Sequence, residues 1–263
     1  MDKSMLKIGI IFLAACSLAL PAFPATDPFA GTWKFNQEKS DLKGQTETIA
    51  SLGDNKYRFT YGTAISFDLT ADGTDQTSLP GATMAITIQD PNSWQIVDKS
   101  NGRTNATEVW TLSPDAKSLS AVAKGTRPDG SEFENHFALK KVSGNGGFAG
   151  TWQMADVQLS SISLLQIDSS GTGGLTVSYP SDKVTIAMSF DGKDCPVEGP
   201  TVLKGSTASA KRLGPDAIKV TDKLNAKVLD ITDWKLSADG KVLTMTEHDA
   251  GVKKASVSVY DRQ

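Results

Sequence analysis

Histidine and cysteine are scarce in this chain, two of each in 263 residues. That shortage excludes multi-site zinc proteins, iron–sulfur proteins and disulfide-dense miniproteins. No basic block stands out and the net charge is −3, so the electrostatic footprint of a nucleic-acid partner is missing. After residue 25 no apolar run approaches the roughly 20 residues of a transmembrane span. No long segment carries the stripe of an amphipathic helix. The nearest, Gln37 to Leu42, has room for one turn.

What is present begins with an address. Lys3 and Lys7 precede an apolar run from Ile8 to Leu20, and Pro21, Pro24 and Ala25 follow. This pattern predicts a signal peptide over residues 1–25, cut after Ala22 or Ala25, and a secreted or periplasmic mature protein. Leu13-Ala14-Ala15-Cys16 supports a rival reading, a lipoprotein box that leaves the protein lipid-anchored through Cys16. Residues 1–25 carry Asp2, Lys3 and Lys7, a net +1, so the mature charge is −3 − 1 = −4. Cys195 is then the only cysteine. It cannot form an internal disulfide, and it is expected as a small, buried apolar residue.

The rest of the chain is written twice. Phe29-Ala30-Gly31-Thr32-Trp33 recurs as Phe148-Ala149-Gly150-Thr151-Trp152, and Asp72-Gly73 as Asp191-Gly192. Further on, Trp110 falls on Trp234 and Leu119 on Leu243, so four of the five tryptophans pair. The reading is a tandem duplication: a repeat over 28–144, a repeat over 147–263, and a glycine-rich flexible joint between two separate cores.

Within each repeat the hydrophobic period is two. Tyr57, Phe59 and Tyr61 alternate with Arg58 and Thr60, and Val184, Ile186 and Met188 behave alike. Turn signals such as Asp54-Asn55, Asn101-Gly102 and Asp239-Gly240 separate the runs. The expectation is all-β: two tandem antiparallel up-and-down barrels of about nine short strands each, with closure preferred over a sandwich because it removes exposed edges.

Gly31-Thr32-Trp33 resembles the opening of calycin barrels, the lipocalins and fatty-acid-binding proteins, and Val259-Tyr260-Asp261-Arg262 is similar to their last strand. Thr232-Asp233-Trp234 resembles a lipocalin segment more faintly. A closer resemblance is to small secreted bacterial lipocalin-like proteins of uncharacterised function. It is carried by Gly31 to Ser40, Asp191 to Val197 with Cys195 in a tyrosine slot, Ser237 to Thr244 and Val259 to Arg262. The resemblance implies barrels with Trp33 and Trp152 as end plugs and a basic residue, Arg262, over Trp152. It implies no activity. The fatty-acid-binding carboxylate clamp would need arginine where Ser258 stands, and the two helices of that family have no counterpart.

Candidate chemistry is sparse. Asp72 with Asp75 and Asp191 with Asp194 read as Asp-Gly turns rather than calcium ligands or an acid–base pair. His136 and His248 sit in no catalytic motif and at different repeat positions. The run Ser169 to Gly174 leads into a strand, so it is a hairpin loop rather than a phosphate loop. No catalytic residue, metal site or cofactor is expected. Three functions remain. The preferred one is a non-catalytic binding protein for a small apolar or amphipathic ligand, lined by Tyr57, Phe59, Phe67, Trp94, Tyr179 and Met188. The second is an envelope interaction or structural protein with filled barrels, partnering another envelope protein. The third is a calycin-like enzyme.

Overall fold

The computed structural model describes residues 27–144, 146–160, 164–170 and 173–263. Residues 1–25, expected as a signal peptide, and with them Cys16, lie outside the described residues. The first repeat forms β1 (Gly31–Phe35), β2 (Thr46–Gly53), β3 (Lys56–Tyr61), β4 (Ile65–Thr70), β5 (Gln76–Leu79), β6 (Ala82–Asp90), β7 (Ser93–Ser100), β8 (Arg103–Leu112), β9 (Ser118–Thr126) and β10 (Glu132–Ser143). The second forms β11 (Gly150–Gln158), β12 (Leu164–Ser170), β13 (Gly174–Tyr179), β14 (Val184–Ser189), β15 (Cys195–Glu198), β16 (Ser206–Gly214), β17 (Ala217–Leu224), β18 (Lys227–Leu236), β19 (Val242–Asp249) and β20 (Ser256–Arg262). Each repeat thus has ten strands, one more than its alternation suggests. Gln37–Lys39 and Pro180–Asp182 are single 3-10 turns, and no α-helix occurs among the described residues.

Two ten-stranded antiparallel sheets result. One closes into a barrel in the order β1, then β12 to β20; the other runs β4-β3-β2-β11-β10-β9-β8-β7-β6-β5 and nearly closes. The repeats therefore exchange their first strands. β1 pairs with β12 and β20, while β11 pairs with β2 and β10. Sequence repeat and barrel differ by one strand each. The joint is correspondingly a tight connection between paired strands rather than a flexible linker: Ser143 is opposite Thr151, and the Lys141 ammonium donates to the carbonyls of Gly147 (2.6 Å) and Ala149 (3.0 Å).

The shared Gly-Thr-Trp motif has the same physical job in both barrels. Trp33 and Trp152 are fully buried, and each indole donates to the carbonyl of the phenylalanine four residues earlier, Phe29 (2.9 Å) and Phe148 (2.8 Å). A cation from the last strand lies over each ring. Arg262 stands 4.1 Å from the centroid of Trp33, and Lys141 stands 4.6 Å from that of Trp152. Arg262 was expected on Trp152; the strand exchange brings it Trp33 instead. Gly31 has φ +147°, and a Cβ there would meet the Arg262 guanidinium at 2.6 Å, so only glycine lets the cation reach the Ala30 carbonyl.

The seam of the open sheet lies between β4 and β5, which form no ladder. Gln76 spans it with its side chain: Oε1 accepts from the Thr70 amide (2.8 Å) and Nε2 donates to the Thr70 carbonyl (2.6 Å). One amide group stands in for a rung of sheet. In the closed barrel the corresponding strands β14 and β15 pair directly, Thr185 with Glu198 and Ile186 with Val197.

Candidate functional site: a chamber in each barrel

Each barrel keeps a chamber, partly open to solvent, beside its packed core. The first has a volume of 250 Å³ and is walled by Tyr61, Trp110, Ala121, Phe137, Leu139 and Met154, with Gln45, Thr46, Glu47 and Glu108 supplying polar groups. The second, 180 Å³, is walled by Val177, Tyr179, Ile186, Met188, Val220, Trp234, Met245 and Tyr260, with Asp222, Asp230, Thr232, Glu247 and Ser258 as its polar groups.

The strand ladders show that the two chambers overlap at six equivalent positions, Tyr61 and Tyr179 among them, which face Ile65 and Val184. Trp110 pairs with Ala121 and Trp234 with Met245; Leu119 pairs with Leu139 and Leu243 with Tyr260. The chamber positions Tyr61, Glu108, Trp110, Ala121, Phe137 and Leu139 therefore correspond to Tyr179, Thr232, Trp234, Met245, Ser258 and Tyr260. The scaffold is kept while the chemistry has diverged. The second chamber has two acids, Asp230 and Glu247, at positions equivalent to Ala106 and Ala123, which do not line the first chamber.

Period two puts these groups inside. Glu47 lies two residues before buried Ile49, Glu108 two before Trp110, Asp222 two after Val220, and Glu247 two after Met245, so each continues an inward-facing row. Burial then acts on them. Glu47 is pushed up to about 7, chiefly by desolvation, with the Glu108 charge adding to the rise and a hydrogen bond from Tyr61 opposing it. Glu108 is also raised by burial, although the Trp110 indole donates to it at 2.6 Å. In the second chamber burial raises Asp222, Asp230 and Glu247, and mutual repulsion adds to it. Tyr260 is lifted to about 12 by burial and the Glu247 charge.

The rims of the two chambers touch. Gln45 of the first donates to Asp249 at 3.0 Å, and oxygens of Asp249, Asp230 and Glu247 all lie within 4.8 Å of one another. Three carboxylate oxygens fall short of the six to eight that calcium takes.

Of the six residues expected to line a pocket, Tyr179 and Met188 lie on the wall of the second chamber. The other four pack against each other instead. Phe59 stacks on Phe67 (centroids 5.6 Å apart), Tyr57 meets Trp94 edge-on (4.7 Å), and Trp94 stacks on Phe148 (3.8 Å). Phe148 enters with the exchanged strand, and this ring-on-ring packing fills the space beside Trp94. The residues missed, Glu47, Tyr61, Glu108, Trp110, Asp222, Asp230, Glu247 and Tyr260, were accessible through the inward parity of their strands.

The remaining candidates are structural. Asp72 and Asp191 accept hydrogen bonds from their own turns, the amides of Thr74 (2.9 Å) and Lys193 (3.0 Å), and these contacts hold Asp191 down to about 2. Asp75 and Asp194 pair with Lys99 (2.5 Å) and Lys223 (2.7 Å), one ion pair repeated in both barrels. His136 contacts Glu134 at the surface and His248 approaches Asp233 there. The Cys195 thiol lies 2.9 Å from the Ala208 carbonyl, and burial pushes it up, away from the thiolate form. No helix among the described residues is long and apolar enough to cross a membrane. Compared with known proteins, the chain matches no family model, no curated protein and no solved structure.

Proposed function

We propose that this is a secreted or periplasmic, lipocalin-like binding protein without catalysis, whose chambers take small amphipathic ligands. The observation that carries the reading is a chamber in each barrel, the two sharing six equivalent wall positions. Aromatic and aliphatic walls with a few convergent polar groups suit an apolar body with one polar end. The polar end is a hydrogen-bond donor, preferably an ammonium group. Burial raises these carboxyl groups by disfavouring their charged form, and a cation placed beside them offsets that cost. Volumes of 250 and 180 Å³ favour a small molecule over a long acyl chain.

Hexylamine and hexanol test this as probes of equal chain length. Trp110 fluorescence should respond to hexylamine, and Glu108→Gln should weaken amine binding about tenfold while leaving hexanol within about twofold. If neither probe perturbs the tryptophan signal, and native mass spectrometry of protein from its own source carries no small molecule, the filled-barrel reading replaces this one.

A further inference from the structure

A third cavity, 260 Å³, lies where the first sheet meets the second repeat. Arg103, Asn105, Arg127 and Phe133 line it from β8 to β10, and Asp182 and Thr201 from the other side. It shares no lining residue with either chamber. Two of its lining residues each hold a buried atom without a partner: Arg103 Nε, a donor, and Asn105 Oδ1, an acceptor. Both side chains are otherwise engaged. Arg103 donates through Nη2 to the carbonyls of Thr126 (2.7 Å) and Arg127 (2.8 Å). Asn105 donates through Nδ2 to Asp98 (2.9 Å) and Ser100 (2.7 Å), which fixes the direction of its oxygen. Arg127 pairs with Asp182 at 3.1 Å and lies over the Phe133 ring. The lining holds two guanidinium groups and one carboxylate, with the Asp98 carboxylate bonded behind Asn105. A buried donor and a buried acceptor left unmade are costly, and native proteins satisfy nearly all such groups.

We propose that this cavity binds a small oxyanion that carries its own hydroxyl. An anionic oxygen accepts from Arg103 Nε in a charge-assisted bond, and the hydroxyl donates to Asn105 Oδ1. A hydroxycarboxylate and inorganic phosphate share this chemistry. The site draws residues from both repeats, so it exists only in the assembled chain, and it stands independently of the chambers.

Isothermal titration of the full mature chain with glycolate, acetate and inorganic phosphate, each against sodium chloride of matched ionic strength, decides the matter. Glycolate or phosphate should bind at one site per chain, and whichever binds identifies the source. Acetate, which has no hydroxyl for Asn105, should bind about tenfold more weakly than glycolate. Arg103→Lys keeps the charge and loses the Nε–H, and should weaken binding about tenfold with an unchanged circular dichroism spectrum. Absence of heat from both glycolate and phosphate overturns the proposal. So does equal affinity for glycolate and acetate, or a crystal structure soaked in glycolate and phosphate with only an ordered water between Arg103 and Asn105. The ligand comparison needs no variant, so it holds even if Arg103→Lys fails to fold.

Discussion

Glu47 shows how one residue ties fold to chemistry. Its strand parity places it on the inward face, where water is displaced by Tyr61, Trp110 and Leu139 around it. Its ordinary value of 4.5 rises to about 7 in the folded chain. Between those values the unfolded chain gives up the proton and the folded chain keeps it. Stability therefore falls as pH rises from about 4.5 to about 7 and levels off above, by up to about 3 kcal/mol. Glu47→Gln removes this dependence, so the variant should gain on the wild type between pH 4.5 and pH 7.5. Urea denaturation at the two pH values measures it, and parallel profiles would show that Glu47 titrates as an exposed side chain. The same parity made the site partly legible in advance. Glu108-x-Trp110 and Val220-x-Asp222 already place acid on the rows that carry core residues. What alternation leaves open is whether an acid at a strand end turns to water or stays under the wall, because that depends on which strands surround it.

At the scale of elements, the short strands and their turns follow directly from alternation and from Asp-Gly, Asn-Gly and Gly-Asp dipeptides. The partner of each strand does not. Phe-Ala-Gly-Thr-Trp is identical in both copies, so the motif itself does not tell β1 from β11, and either barrel offers its indole a cation, Arg262 in one and Lys141 in the other. The exchange is settled by the connections. Residues 36–45 run back from β1 along β20 and β11, with Asp41 bonded to Val257 in both directions (2.8 Å each) and the Gly44 amide to the Met154 carbonyl (2.9 Å). The seam of the first sheet is a second feature that period cannot reveal, since it rests on the side chain of Gln76. Gln76→Ala removes both of its bonds to Thr70 and leaves the β4 edge without that rung. The expected cost is about 1–2 kcal/mol, with faster amide hydrogen exchange confined to Ile65–Thr70. Unchanged protection at Thr70 would mean that the seam is held by β3 and the Gly73–Ile86 bond instead.

For the whole molecule, the exchange replaces two self-sufficient units with one. Each barrel takes its buried tryptophan from the other repeat, Trp33 packing with Leu165, Trp234 and Leu243, and Trp152 with Ile49, Trp94 and Leu119. Further bonds cross between the sheets: the Thr63 amide to the Ala250 carbonyl (2.7 Å), Asn101 to the Val202 carbonyl (2.9 Å) and Gln45 to Asp249 (3.0 Å). Losing β1 from the closed barrel would open its β12 and β20 edges and also pull on the segment that leads into β2, so one barrel cannot loosen while the other stays intact. Truncating either indole removes transfer energy and leaves a cavity, typically about 3–5 kcal/mol, against a total of about 5–15 kcal/mol for a domain. Trp33→Ala and Trp152→Ala should therefore each lower the same event. Calorimetry of the wild type should give one transition whose measured and van't Hoff enthalpies agree, and both variants should shift that single peak down by similar amounts. Two peaks, with Trp33→Ala lowering only the one from the closed barrel, would show that the exchanged strands join the barrels without coupling them.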